Sequence, residues 1–247
     1  MGNLFSDIKR LVIHPKTYLA VVGVMASIFF SLQDDFANGI SQNAVSMYLF
    51  AIDSAGFLVA YVFCALPFGT TFCEDLKSRY IRQNVIRNGI RKYVCSRMTV
   101  IYISALLVML FGSALFLLIR GIGYQESFLG NEGYEYLRYG FLISGGHSFW
   151  GCMIVALRLG LLAGTLSVMA VGISLYMVNK AAALALPVLI FQILLELGGK
   201  YSYISLFFPD IKVFAADWLD SVLTIVISFL TVVVIICIAE QKIKKLL

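Results

Sequence analysis

The feature that most restricts how this chain can fold is a series of long, nearly uncharged apolar blocks, at 17–32, 45–68, 98–119, 155–178, 181–197 and 222–239. Each approaches the roughly 20 residues that a helix needs to cross the hydrocarbon core of a bilayer. Lipid offers the backbone no hydrogen-bond partner, so a crossing segment must satisfy its own N–H and C=O groups, as a helix does. A transmembrane barrel shows alternating strands of about ten residues instead, a pattern this sequence lacks. Composition points the same way. Only 13% of the 247 residues are charged and 60% are hydrophobic, with a mean hydropathy of +0.90, whereas soluble domains carry about 25% charged residues. The sequence therefore predicts an all-α membrane protein: one transmembrane domain over 1–247 with six transmembrane helices.

Charge orients these blocks. Residues 1–15 place Leu4, Phe5, Ile8, Leu11 and Val12 at helical spacing with Asp7, Lys9 and Arg10 between them. They read either as a short amphipathic helix in the membrane interface or as a plain flank. The first apolar block is too long for the core of a secretory signal. The loop after the first span holds Asp34 and Asp35, and the stretch 120–148 is mixed, with Glu126, Glu132 and Glu135. Only Asn179 and Lys180 part the fourth span from the fifth, and 198–221 reads as an outer loop or re-entrant segment carrying Asp210, Asp217 and Asp220. If the N-terminus, 70–97, Lys180 and the C-terminal tail share one side, that side holds 14 of the 19 Lys and Arg. The other side holds Arg120, Arg138, Lys200 and Lys212. This bias assigns both termini to the cytoplasm and the chain to a multi-pass plasma membrane. It also explains the net charge of +5 without a nucleic-acid partner.

No catalytic constellation emerges. There is no GxxxxGK[ST] loop to cradle ATP and no HExxH to hold zinc. His14 and His147 fall on opposite sides of the membrane, so they cannot share a metal, and the spacing of Cys64, Cys73, Cys95, Cys152 and Cys237 suits neither a disulfide framework nor zinc. Reduced thiols are the expectation. Ionisable residues inside spans are functional candidates by default. Asp53 lies roughly 10–12 Å into the second span at 1.5 Å per residue, facing a pathway or, if the span starts later, the interface. Arg158 and Glu196 sit near outer ends of their spans, where they either snorkel to the surface or pair with each other. Gly160 and Gly164 form a GxxxG motif that lets helix backbones approach closely, within the chain or between copies. Pro187 introduces a kink into the fifth span.

The cytoplasmic segment 70–97 is the most informative. Leu76, Tyr80, Ile81, Val85 and Ile86 recur on one helical face among Lys77, Arg79, Arg82, Arg87, Arg91, Lys92 and Arg97, with Gly89 interrupting. This reads as a short amphipathic helix, a glycine break, and a second helix feeding the third span. A basic helix lying on anionic lipid has the same pattern.

This segment resembles the loop after the second span in the type-2 family of ABC-transporter permeases. Glu74 and Asp75 match that family's acidic position, Ile81 and Arg82 its basic-apolar helix, Gly89 its glycine, Arg91 or Lys92 the following basic residue, and Tyr93 and Ser96 its close. Arg79 stands where a glycine is usual, and Arg97 replaces a lysine. The N-terminal amphipathic stretch, the six blocks, the tiny Asn179–Lys180 loop and the segment before the last span resemble the family's architecture too. The resemblance implies the membrane subunit of a bacterial ATP-driven exporter, of the peptide- or lantibiotic-export or immunity type, acting on an amphipathic or hydrophobic substrate such as a peptide. It implies a separate P-loop ATPase subunit holding the ATP and magnesium, with no cofactor on this chain, and a second permease subunit, the same or related. It makes 70–97 a coupling helix in which Glu74, Asp75, Arg79, Arg82, Arg87, Gly89 and Arg91 meet the ATPase, with Asn179 and Lys180 as a second cytoplasmic contact. Two other readings stay open: a stand-alone secondary carrier or channel, and a membrane enzyme or receptor-like scaffold.

Overall fold

The computed structural model describes residues 15–33, 44–69, 74, 89–123, 142–143, 147–176, 179–200 and 217–246. Within them the chain is helical and contains no strand. The helices are α1 (Pro15–Ser31), α2 (Ala44–Asp53), a single 3-10 turn (Ala55–Phe57), α3 (Leu58–Ala65), α4 (Ile90–Gly123), α5 (Ser148–Ser174), α6 (Lys180–Lys200) and α7 (Asp217–Leu246).

Among the described residues three helices are long and apolar enough to cross a membrane: α4, α5 and α7. Their 34, 27 and 30 residues span about 51, 40 and 45 Å at 1.5 Å per residue, more than a bilayer core of about 30 Å. The shorter α1 and the Ala183–Leu194 part of α6 are apolar helices of less than that length, and α2 with α3 makes a further span only if the bent pair counts as one. Among the described residues three to four spans meet the length criterion, where the sequence predicts six.

The second apolar block is not one helix. It breaks at Ser54, whose backbone is extended (φ −78°, ψ 149°), and the two halves are bent by 77°. The local sequence Asp53-Ser54-Ala55-Gly56 accounts for this. Asp and Ser side chains compete for backbone groups outside a helix, and glycine gives up the most entropy inside one. Ser54 N–H donates to the Ala51 carbonyl (3.3 Å) and Phe57 N–H to the Ser54 carbonyl (3.1 Å), which limits the polar backbone that the break exposes. Gly56 belongs here for steric reasons: a Cβ on it would lie 2.8 Å from Ser31 Oγ and 3.1 Å from Ser31 Cα. The end of α1 therefore packs directly on the break.

Helix ends also move relative to the hydropathy pattern. Residues 217–221, read as outer loop, are the first turn of α7. A hydropathy window stops where charges begin, but a helix continues into the interface when its terminal charges suit the macrodipole. α7 has Asp220 near its start and Lys244 and Lys245 in its last turn. Likewise, 90–97 is the beginning of α4, continuous with the third span. Gly89 precedes it in the left-handed region (φ +78°), so the expected glycine break stands immediately before a helix.

Register follows from the close contacts. Gly160 of α5 faces Leu106 of α4, and Gly164 faces Tyr102, so these helices run antiparallel. Arg158 of α5 meets Thr224 of α7, and Gly172 meets Ile235, so α5 and α7 run parallel. Among the described residues the interior divides into two apolar clusters. The larger draws on α1 to α6 around Tyr48, Tyr61, Phe116 and Phe191. The smaller joins Tyr93, Val94 and Met98 of α4 to Val171 and Leu175 around the end of α5, and to Ala239 and Ile243 of α7. The basic start of α4 and the basic end of α7 thus lie at one end of the bundle. Inside it, hydroxyls donate to carbonyls of their own helices: Ser27 to Gly23, Ser104 to Ile101, Thr165 to Leu162 and Ser174 to Val171, each at 2.7–2.8 Å. This is how a helix satisfies a hydroxyl where water is absent.

Candidate functional site

α7 is almost wholly Val, Ile, Leu and Phe in its central part, yet Asp220, Thr224 and Ser228 recur every fourth residue and are all buried at 0–1% exposure. Four-residue spacing places them on one face, turned away from the exposed Val222, Phe229 and Val233. Arg158, 3% exposed, approaches from α5. Its Nη2 donates to Thr224 Oγ1 (3.3 Å), and Thr224 Oγ1 donates in turn to the Asp220 carbonyl (2.7 Å). A guanidinium and a carboxyl of opposite charge are therefore buried at one helix–helix interface, where Thr224 links the guanidinium to the main chain of Asp220.

Depth gives this cluster its significance. Arg158 lies about 15 Å from the start of α5 and Thr224 about 10 Å from the start of α7. A charge at such depth in a membrane costs several kcal/mol when alone, and is retained where an opposite charge or a wet cavity compensates it. The cluster can lock α7 against α5, and it can separate into two states if the helices part. Sequence alone places Arg158 at a span end, snorkelling or paired with Glu196. Instead Arg158 is buried and turned to α7, because α7 rather than α6 presents the polar stripe to it. Glu196 is exposed on α6. Asp220 escapes a sequence reading because it falls within an apparent loop, although the Asp220–Thr224–Ser228 spacing in an otherwise apolar helix is a legible signal.

The other candidate residues separate. Asp53 closes α2 at the break and is exposed, away from the Arg158 cluster by sequence element and burial. Gly160 and Gly164 are buried within the chain. A Cβ on Gly160 would stand 3.2 Å from the Leu106 carbonyl oxygen, and one on Gly164 2.8 Å from the Tyr102 ring. The GxxxG motif thus serves α4–α5 packing inside one copy. Pro187 lies within α6. Tyr48 Oη donates to Ser113 Oγ (3.0 Å), and Arg120 Nη2 approaches Met47 Sδ (3.0 Å), fixing α2 across the far end of α4.

Of the coupling residues, Gly89 and Arg91 are exposed and Glu74 is half-buried. Asp75, Arg79, Arg82 and Arg87 lie outside the described residues, as do His14 and the stretch 1–14. Asn179 caps α6, its Oδ1 accepting the Ala181 N–H (3.0 Å). Asn179→Ala should cost about 1 kcal/mol of stability through loss of that cap, measured as a lowered thermal midpoint with the helical signal unchanged. Cys64, Cys95, Cys152 and Cys237 are free thiols. His147 precedes the first turn of α5 without a side-chain capping bond. Among the described residues no group of three His, Cys, Asp or Glu could hold a metal ion.

Comparison of the chain with protein-family models, with curated proteins and with solved structures finds no match.

Proposed function

We propose that this chain is the membrane-spanning permease subunit of an ATP-driven ABC transporter, which exports an amphipathic or hydrophobic substrate such as a peptide. The observation that carries this reading is the junction at Gly89. A positive-φ glycine with open space where a Cβ would stand joins the basic segment 70–88 to a single helix of 34 residues. A push on the segment is delivered to one end of a long rigid lever. The lever does not move alone, because Gly160 and Gly164 seat α5 directly on its backbone and on Tyr102. α5 in turn holds α7 through Arg158 and Thr224. A displacement at the basic end thus travels through three packed helices, the kind of rigid-body transition that membrane pumps use.

In this reading six spans place both termini in the cytoplasm of a bacterial cell, and a second permease subunit completes the pathway. The partner ATPase binds ATP and magnesium and docks beneath 70–97, meeting Glu74, Asp75, Arg79, Arg82, Arg87 and Arg91, with Asn179 and Lys180 as its second contact. The test is purification in mild detergent from the native cell, with mass spectrometry of the retained proteins. A stoichiometric P-loop ATPase, released by charge reversal of Arg82 and Glu74, is the expected result. A chain that purifies alone, even after crosslinking, removes the basis for the coupling role. Gly89→Ala tests the junction separately: the left-handed backbone should cost about 1 kcal/mol, and transport should fall further than stability does.

One observation favours a second reading, a stand-alone secondary carrier. Discontinuous helices commonly form substrate sites in such carriers, and the α2–α3 pair is broken by 77° with Asp53 at the break. Transport into vesicles by the purified chain without an ATPase, abolished by Asp53→Asn, distinguishes it.

A further inference from the structure

We infer that the basic end of the bundle is a binding site for the anionic headgroups of phospholipids, built jointly by the start of α4 and the end of α7. It rests on the chain being membrane-embedded and not on the transporter reading. The second apolar cluster packs Tyr93 and Val94 against Ala239 and Ile243. This brings Arg91 and Lys92 to the same rim as Lys242, Lys244 and Lys245, which are far away in sequence. Arg91, Lys92, Lys244 and Lys245 are exposed. Within 89–97 and 236–246 the one acidic residue is Glu240, and it is engaged by Lys244 (3.5 Å). The rim therefore carries a clear excess of positive charge.

Two features select a lipid over other polyanions. Along α7, the exposed Val234 and Ile238 continue at helical spacing into Lys242 and Lys245, so an apolar stripe runs directly into a basic one. A phospholipid matches both halves, acyl chain on valine and isoleucine and phosphate on lysine; a nucleic acid or an acidic protein matches only the second. Tyr176 marks the boundary. Its ring, 57% exposed, carries the Lys242 ammonium 4.4 Å from its centroid, and amphipathic rings concentrate at headgroup level.

The experiment uses the full chain in nanodiscs of phosphatidylcholine alone or with added phosphatidylglycerol. Thermal midpoints are read in each, with the phosphatidylglycerol retained per chain after washing in neutral detergent. The expected result is a higher midpoint and selective retention with phosphatidylglycerol. Each cation near the surface contributes about fivefold in affinity, so Lys242→Gln/Lys244→Gln/Lys245→Gln should lower retention at least about tenfold. Arg91→Gln/Lys92→Gln, on a different helix, should lower it by a comparable factor per charge; it keeps the test decisive if the triple variant does not fold. Equal retention of both lipids, full retention by both variants, or an equal shift from inorganic phosphate or a short RNA in phosphatidylcholine discs would overturn the inference.

Discussion

Asp220→Leu alone is expected to destabilise the protein by about 3–5 kcal/mol, because it removes a carboxyl buried at the same α5–α7 interface as the Arg158 guanidinium and leaves that buried charge less compensated. By the scaling for a chain of this size, the melting midpoint falls by on the order of 10 °C. Arg158→Met alone should do comparable damage from the other side. The informative variant is the double one, Arg158→Met/Asp220→Leu. Replacing a buried pair by apolar residues of similar volume is often neutral or stabilising, so the double variant should recover most of what either single loses. Thr224→Val, which removes the acceptor for Arg158 Nη2, should cost about 1.5–3 kcal/mol, the range for a hydrogen bond to a charged group. Thermal melts in one detergent compare all four. Additive losses in the double variant would mean that the two charges act independently and that the α5–α7 interface is held by its apolar contacts. Under the transporter reading, a cluster that serves only to fasten α7 leaves the double variant transporting normally. If its separation is part of the working cycle, the double variant will be stable and inactive.

The second large effect is at the α4–α5 contact. Gly164→Val should lower stability by about 1–3 kcal/mol through overpacking. Its Cβ alone would lie 2.8 Å from the Tyr102 ring, before either methyl is added. Gly160→Val should also be harmful, since its nearest obstacle is the Leu106 carbonyl oxygen at 3.2 Å, a backbone atom that cannot rotate aside. The two sites differ in rescue. Tyr102→Ala removes the ring that Gly164→Val strikes and should restore part of the loss, whereas no side-chain change at Leu106 relieves Gly160→Val fully. Melting midpoints of the paired variants decide this. Two equally benign valines would show that α4 and α5 are less closely seated than their register implies.

The lipid site and the coupling reading meet at the same end of α4. Arg91 is named in both, as an ATPase contact and as part of the basic rim. The two roles separate experimentally, because lipid retention is read on the chain alone and ATPase retention on the complex.

The sequence by itself determined that this chain is helical and built from apolar helices suited to a membrane. It also determined where the charges concentrate and that a glycine break precedes the third block. These properties are local: burial in lipid scales with the hydrophobicity of each segment, and a backbone break follows from the residues at that position. The 77° break at Ser54 was harder to see. Asp53-Ser54-Ala55-Gly56 is only a weak helix stop, and Ser31 of α1, packed on Gly56, belongs to a distant part of the chain. Only the tertiary structure decided that Arg158 turns to α7, that Asp220 is buried rather than in a loop, and that Gly160 and Gly164 pack within one copy. A hydropathy sum is blind to helix faces, and the partner of a buried charge depends on which helix lies beside it. That neighbour is chosen by the packing of the whole bundle.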